Sequence, residues 1–123
     1  MKRIKVDVVT AADGSATFYS PKTSGKVHSV HYLKDGVTAF TDGVDFTITT
    51  EATAEGIWTE SNVNVSTSRY PRAPTSSQAG VASLYAAAGT AIQDKVALGN
   101  DRIKVVIAQG GNAKKGEFIF LVD

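Results

Sequence analysis

The chain contains no cysteine in 123 residues. That excludes a disulfide framework, a thiolate metal site and a cysteine nucleophile. Histidine and tryptophan are nearly as scarce, at two and one residues. A zinc centre needs three or four converging ligands, so His28 and His31 alone do not supply one. Neither charge sign dominates: 13 basic and 12 acidic residues leave a net charge of +1. This is far from the basic balance of a dedicated nucleic-acid binder, and no specific nucleic-acid partner is expected. No apolar run approaches the ~20 residues of a membrane helix. Lys2, Arg3, Lys5 and Asp7 interrupt the opening, which therefore lacks the apolar block of a secretory signal. The expectation is a soluble, membrane-free protein made in the cytoplasm.

What is present is the material of a globular β domain. Hydrophobic residues make up 42 % and charged residues 20 %, both ordinary for a packed fold. The length suits one domain over residues 1–123, burying roughly two-thirds of its unfolded surface. Val, Ile, Thr, Tyr and Phe recur with period-two alternation, which predicts strands at 2–10, 15–20, 26–33, 44–51, 56–65, 102–109 and 116–122. Both ends of the sequence thus read as strand. Asp13-Gly14, Asp35-Gly36 and Asp42-Gly43 supply turn chemistry between them. In 44–51, Val44, Phe46 and Ile48 share one face and Asp45, Thr47 and Thr49 the other, as in a half-buried antiparallel strand. The predicted fold is all-β: a β-sandwich, jelly-roll or immunoglobulin-like, of about seven or eight mainly antiparallel strands.

Residues 66–100 break this pattern. Tyr70-Pro71-Arg72-Ala73-Pro74 cannot be an interior strand, because each proline removes a ladder donor. The Ala- and Ser-rich stretch that follows spaces Val81, Leu84, Tyr85 and Ala88 as a helix does, predicting one or two helical turns that end at Gly89. So long a connection in a compact domain is more often functional than decorative. It is read as an excursion from the sheet framework, either an extended loop or a short helix.

No catalytic set assembles from the residue types. In a strand, the odd separation of His28 and His31 places them on opposite faces. Asp42-Gly43-Val44-Asp45 lacks the ligand spacing of a calcium loop and is read as a turn into a strand. Glu51, Glu55 and Glu60 flank a turn, and any two could be proposed as a glycosidase pair, yet Trp58 is the only evident sugar platform. Gln109-Gly110-Gly111-Asn112 with Lys114 and Lys115 has the ingredients of a phosphate loop without its order, and is read as a flexible hairpin tip. Its two lysines are candidates for weak contact with an acidic neighbour. Arg69, Tyr70, Pro71 and Arg72 are the strongest interface candidates. Tyr and Arg often anchor interfaces, and proline lowers the entropy lost on docking. A rigid crossover packed on its own domain satisfies the same physics. Tyr85 falls under the same two readings. No nucleophile, base and stabiliser can be named together, so no enzyme, cofactor or metal is expected.

The segments Asp42–Thr49, Ile57-Trp58, Ser61-Asn62-Val63, Tyr70-Pro71-Arg72 and Asn100–Gly111 together resemble small proteins of tailed bacteriophages and prophages. The resemblance covers nearly the whole chain and implies a virion structural component associated with head-forming proteins. It implies a capsid decoration, cement or head-completion role, with the phage major capsid protein as partner and the virion as location. No catalytic motif is carried over with it. A homo-oligomer is expected, a trimer being favoured for the avidity that a threefold position gives. Two alternatives are a neck or tail ring protein, and a carbohydrate- or receptor-binding module stacking ligands on Trp58, Tyr70 and Tyr85.

Overall fold

A computed structural model describes residues 1–123, which are strand, turn and loop with no helix. Alternation at the two ends of the sequence builds the first sheet. β1 (Lys2–Val9) pairs antiparallel with β11 (Lys115–Val122) in unbroken register, from Lys2 opposite Val122 to Val9 opposite Lys115. β11 then pairs with the long β3 (Thr23–Lys34). The other edge of β3 is shared, with β6 (Thr67–Arg69) along Val30–Tyr32 and β9 (Val96–Asp101) along Thr23–Val27. The second sheet runs β2 (Ala16–Tyr19), β10 (Ile103–Ala108), β4 (Asp45–Thr50) and β5 (Gly56–Glu60), again antiparallel throughout. A small ribbon, β7 (Ala73–Pro74) with β8 (Gln93–Asp94), stands apart from both.

The inward residues of both sheets form one cluster of 20 buried hydrophobic side chains. Its centre is aromatic. The Phe46 ring meets Tyr32 at 4.8 Å, Phe118 at 5.0 Å and Trp58 at 5.2 Å, all edge to face, the arrangement that ring quadrupoles favour. Burial pushes the Tyr32 hydroxyl up to about 12, with a smaller push from Asp35.

Bulges alter the side-chain pattern at two places, and the first revises an expectation. Ser29 pairs with Leu121 but Val27 with Val122, so His28 is an extra residue in β3. The bulge reverses the side-chain parity beyond it. His28 and His31 consequently share the outer face instead of opposing each other, and both rings lie edge-on to Tyr70, at 5.9 and 6.3 Å. A bulge opposite Ile48 and Thr49 does the same in β5, so that the neighbours Ile57 and Trp58 are both buried.

The 109–114 turn is clamped and not a free tip. The Gly110 N–H donates to the Gly14 carbonyl at 2.9 Å and the Lys114 N–H to Thr10 Oγ1 at 2.8 Å. Gly14 has φ +83°, and a Cβ there would stand 2.9 Å from the Gly111 nitrogen, so the Asp13-Gly14 turn needs glycine for conformation and for space.

Candidate interaction surface

The unpaired gap on β3 between β6 and β9 is where residues 70–95 leave the first sheet. No residue from Asn64 to Lys95 is buried. The expected helical turns at 81–88 do not form. The segment folds instead into two small hairpins, with Ser76 bridged to Ala82 and Leu84 to Ala91. Ala88 at φ +56° is incompatible with a right-handed helix. Helical spacing stabilises a helix when the apolar stripe has something to pack on, and this segment has no core beneath it.

Backbone bonding holds the arm in place of a core. The Thr75 N–H donates to the Ile92 carbonyl at 2.9 Å, the Ile92 N–H to the Ser83 carbonyl at 2.9 Å, and the Ser83 N–H to the Thr75 carbonyl at 3.0 Å. Three chain segments thus close a ring of amides from which the stalk and both hairpins radiate. Thr75 Oγ1 adds a bond to the Ile92 carbonyl at 2.8 Å. One hairpin turns at Gly80, φ +83°, and the other through Ala88 and Gly89. Between them they carry Val81, 67 % exposed, Tyr85, 75 % exposed, and Leu84. These are the large apolar side chains that the arm presents to solvent.

The root of the arm is anchored. Arg72 Nη1 donates to the His28 carbonyl at 3.2 Å and to the Pro71 carbonyl at 2.7 Å. His31 lies between two serines, its Nε2 2.9 Å from Ser29 Oγ and its Nδ1 2.7 Å from Ser68 Oγ. Ser29 is fully buried and no carboxylate orients the ring. The group braces β3 against β6, and the hydroxyl of Ser29 is sealed from any substrate. Its sequence signal was hidden by the bulge at His28.

The residues expected to form one interface are split by the fold. Tyr70 stays 59 % exposed beside the root, and Tyr85 is on the arm. Pro71 and Arg72 form the half-buried base. Arg69 is committed to its own domain: its Nε and Nη2 meet the Glu60 carboxylate at 2.8–3.0 Å, and its guanidinium covers the Trp58 ring at 5.5 Å. Lys114 and Lys115 lie at the start of β11, whereas the arm leaves near its end, where Leu121 pairs with Ser29. At ~3.3 Å per residue the length of that strand separates them. Lys115 borders a different feature, an open groove of about 430 Å³ on the outer face of the first sheet. Its lining mixes Asp7, Asp35 and Glu117 with Lys34 and Lys115, so it presents no single charge.

Two sugar-directed expectations lose their geometry. Trp58 is 5 % exposed and beneath Arg69, leaving no free face for stacking. Of the three glutamates, Glu60 is bound by Arg69 and by the Trp58 Nε1–H at 3.1 Å, and Glu51 pairs with Arg102. The Trp58 bond, assisted by Arg69, holds the Glu60 carboxyl below its ordinary value of 4.5. A lowered native pKa contributes stability that is complete above the unfolded value and lost as pH falls through the native one. Thermal melts should therefore show an acid-induced loss below pH 4.5 that is smaller in Glu60→Gln than in the unaltered protein. Equal acid sensitivity in the two would show that this pair does not contribute.

No protein-family model, curated protein or solved structure matches the chain.

Proposed function

We propose that the chain is a non-enzymatic bacteriophage virion structural protein that decorates or cements the capsid, with the 73–94 arm bridging neighbouring major capsid subunits. The observation that carries this reading is the arm itself: a fixed backbone, no buried residue, and Val81, Leu84 and Tyr85 held outward. An arm of this kind loses little entropy on docking, since its shape exists before contact. The framework behind it suits the same role. Two antiparallel sheets share one core, and the fold that accompanies the proposal is a β-sandwich of jelly-roll or immunoglobulin-like kind. The resemblance of Asp42–Thr49, Tyr70-Pro71-Arg72 and Asn100–Gly111 to phage head-associated proteins supports the setting. A neck or tail ring would use the same arm against a different symmetry.

The test is to mix the purified chain with empty capsids of the phage that encodes it and to weigh what sediments. Saturable binding at a fixed ratio per capsid subunit is expected. Leu84→Asp with Tyr85→Ala should reduce it at least tenfold while leaving the melting temperature unchanged, because neither side chain belongs to the core. A protein that stays in the supernatant, or a double variant that binds as the original does, would overturn the assignment.

A further inference from the structure

We propose that β1 is a self-association edge, and that two copies of this chain join antiparallel through it, centred on Val6, to make one continuous sheet. This does not depend on the capsid reading. β1 ends the first sheet, and its outer side pairs with no strand. No backbone bond outside the ladders involves residues 2–9. It runs through Lys2–Val9 without proline, glycine or bulge. Its charged residues Lys2, Arg3, Lys5 and Asp7 are of the kind that guard an edge against indiscriminate pairing, so a strand that pairs here must match them.

Hydrogen-bond parity fixes which groups the edge offers. The Thr10 N–H points at β11, donating to the Lys114 carbonyl, while the Lys115 and Asp123 N–H groups point the other way, to Thr38 and Lys26. Even-numbered residues of β1 therefore bond β11, and the N–H and C=O groups of Arg3, Lys5, Asp7 and Val9 face outward. These same residues carry the exposed side chains of the strand, whereas Val6 and Val8 are buried.

Charge then selects the register. With the twofold axis at Val6, Lys5 of each copy lies opposite Asp7 of the other, and Arg3 lies opposite Val9. An axis at Lys5 places lysine against lysine at the centre, partly offset by Arg3 opposite Asp7 on either side; one at Asp7 places aspartate against aspartate, and one at Ile4 places Arg3 against Lys5. Like charges directly opposed across strands are unfavourable and opposite charges favourable, so the register at Val6, the one of these that matches opposite charges and opposes no like ones, is the most favoured. The pairing is isologous and closes at two copies, a different assembly from the trimer expected from the sequence. A twofold position on a shell would suit such a dimer.

Sedimentation equilibrium over a concentration series, at low salt, tests the proposal. The unaltered chain should show a reversible monomer–dimer equilibrium. Asp7→Pro removes an outward N–H that the monomer does not use, so it should stay folded and become monomeric. Lys5→Asp and Asp7→Lys should each be monomeric alone, since each opposes like charges, and should form a one-to-one dimer when mixed. If the proline variant fails to fold, the charge-reversed pair decides the matter. A monomer at every concentration, a trimer, or a mixture that stays monomeric would overturn the proposal.

Discussion

Phe46→Ala is expected to destabilise the protein by about 3–5 kcal/mol, the range seen when a buried ring is deleted from a core that cannot collapse around the space. Phe46 is inaccessible to solvent. Its ring meets four others: Tyr32, Phe118, Trp58 and, at 6.1 Å, Phe40. Tyr32 and Phe118 belong to the first sheet, and Trp58 to the second, so the ring couples the two. Relaxation is limited because Tyr32, Phe118 and Trp58 are each fixed on a strand and Phe40 is buried in the loop that leads to β4. For a domain of this size each kcal/mol is worth about 3–6 °C in melting temperature. The urea midpoint should fall with an unchanged slope, since the surface exposed on unfolding remains nearly the same. Tyr85→Ala removes a ring of similar size from the arm and should leave the midpoint where it was. A loss under about 1 kcal/mol in Phe46→Ala would mean that the two sheets hold together without the aromatic centre.

Gly116→Ala should be costly for the opposite reason. A Cβ at this position would stand 2.3 Å from Phe40 Cε2, 2.6 Å from Phe40 Cζ and 3.1 Å from Tyr32 Cε1. No real Cβ tolerates the first two, and the atoms in the way are rings held inside the core. Overpacking of this kind costs about 1–3 kcal/mol and sometimes more. Glycine is a poor strand residue on propensity alone, so its presence opposite Val8 is explained by this close approach. Phe40→Leu in the same chain should recover part of the loss, giving a non-additive double-mutant cycle. Additive losses in urea unfolding would show that the strain is relieved elsewhere.

Much of the framework could be read in advance from alternation. β1, β4 and β10 fall within the segments predicted for them and β11 starts one residue before its own, because each buries alternate residues against one core. β9 was missed: only Val96 and Leu98 mark it before Gly99-Asn100, which resembles a turn. It forms because β3 offers an edge, a tertiary cause without local signature. The bulge at His28 is equally silent, and with it the meeting of His28, His31 and Tyr70. At 81–88 the local signal pointed the wrong way. Helical periodicity was present, but the surface that would have rewarded it was not. Of the expected interface residues, Tyr70 and Tyr85 remain available, while Arg69 was taken by Glu60 and Trp58, partners that residue type alone does not reveal.

The ring of amides at Thr75, Ser83 and Ile92 separates shape from sequence in the arm. Ordinarily the residues that give a projection its form are also those it displays, and neither can change alone. Here the form is written in main-chain bonds that most side chains permit, so the displayed groups are replaceable parts on a standing mount. Specificity for a partner can then be retuned at Val81, Leu84 or Tyr85 with the domain behind them left intact.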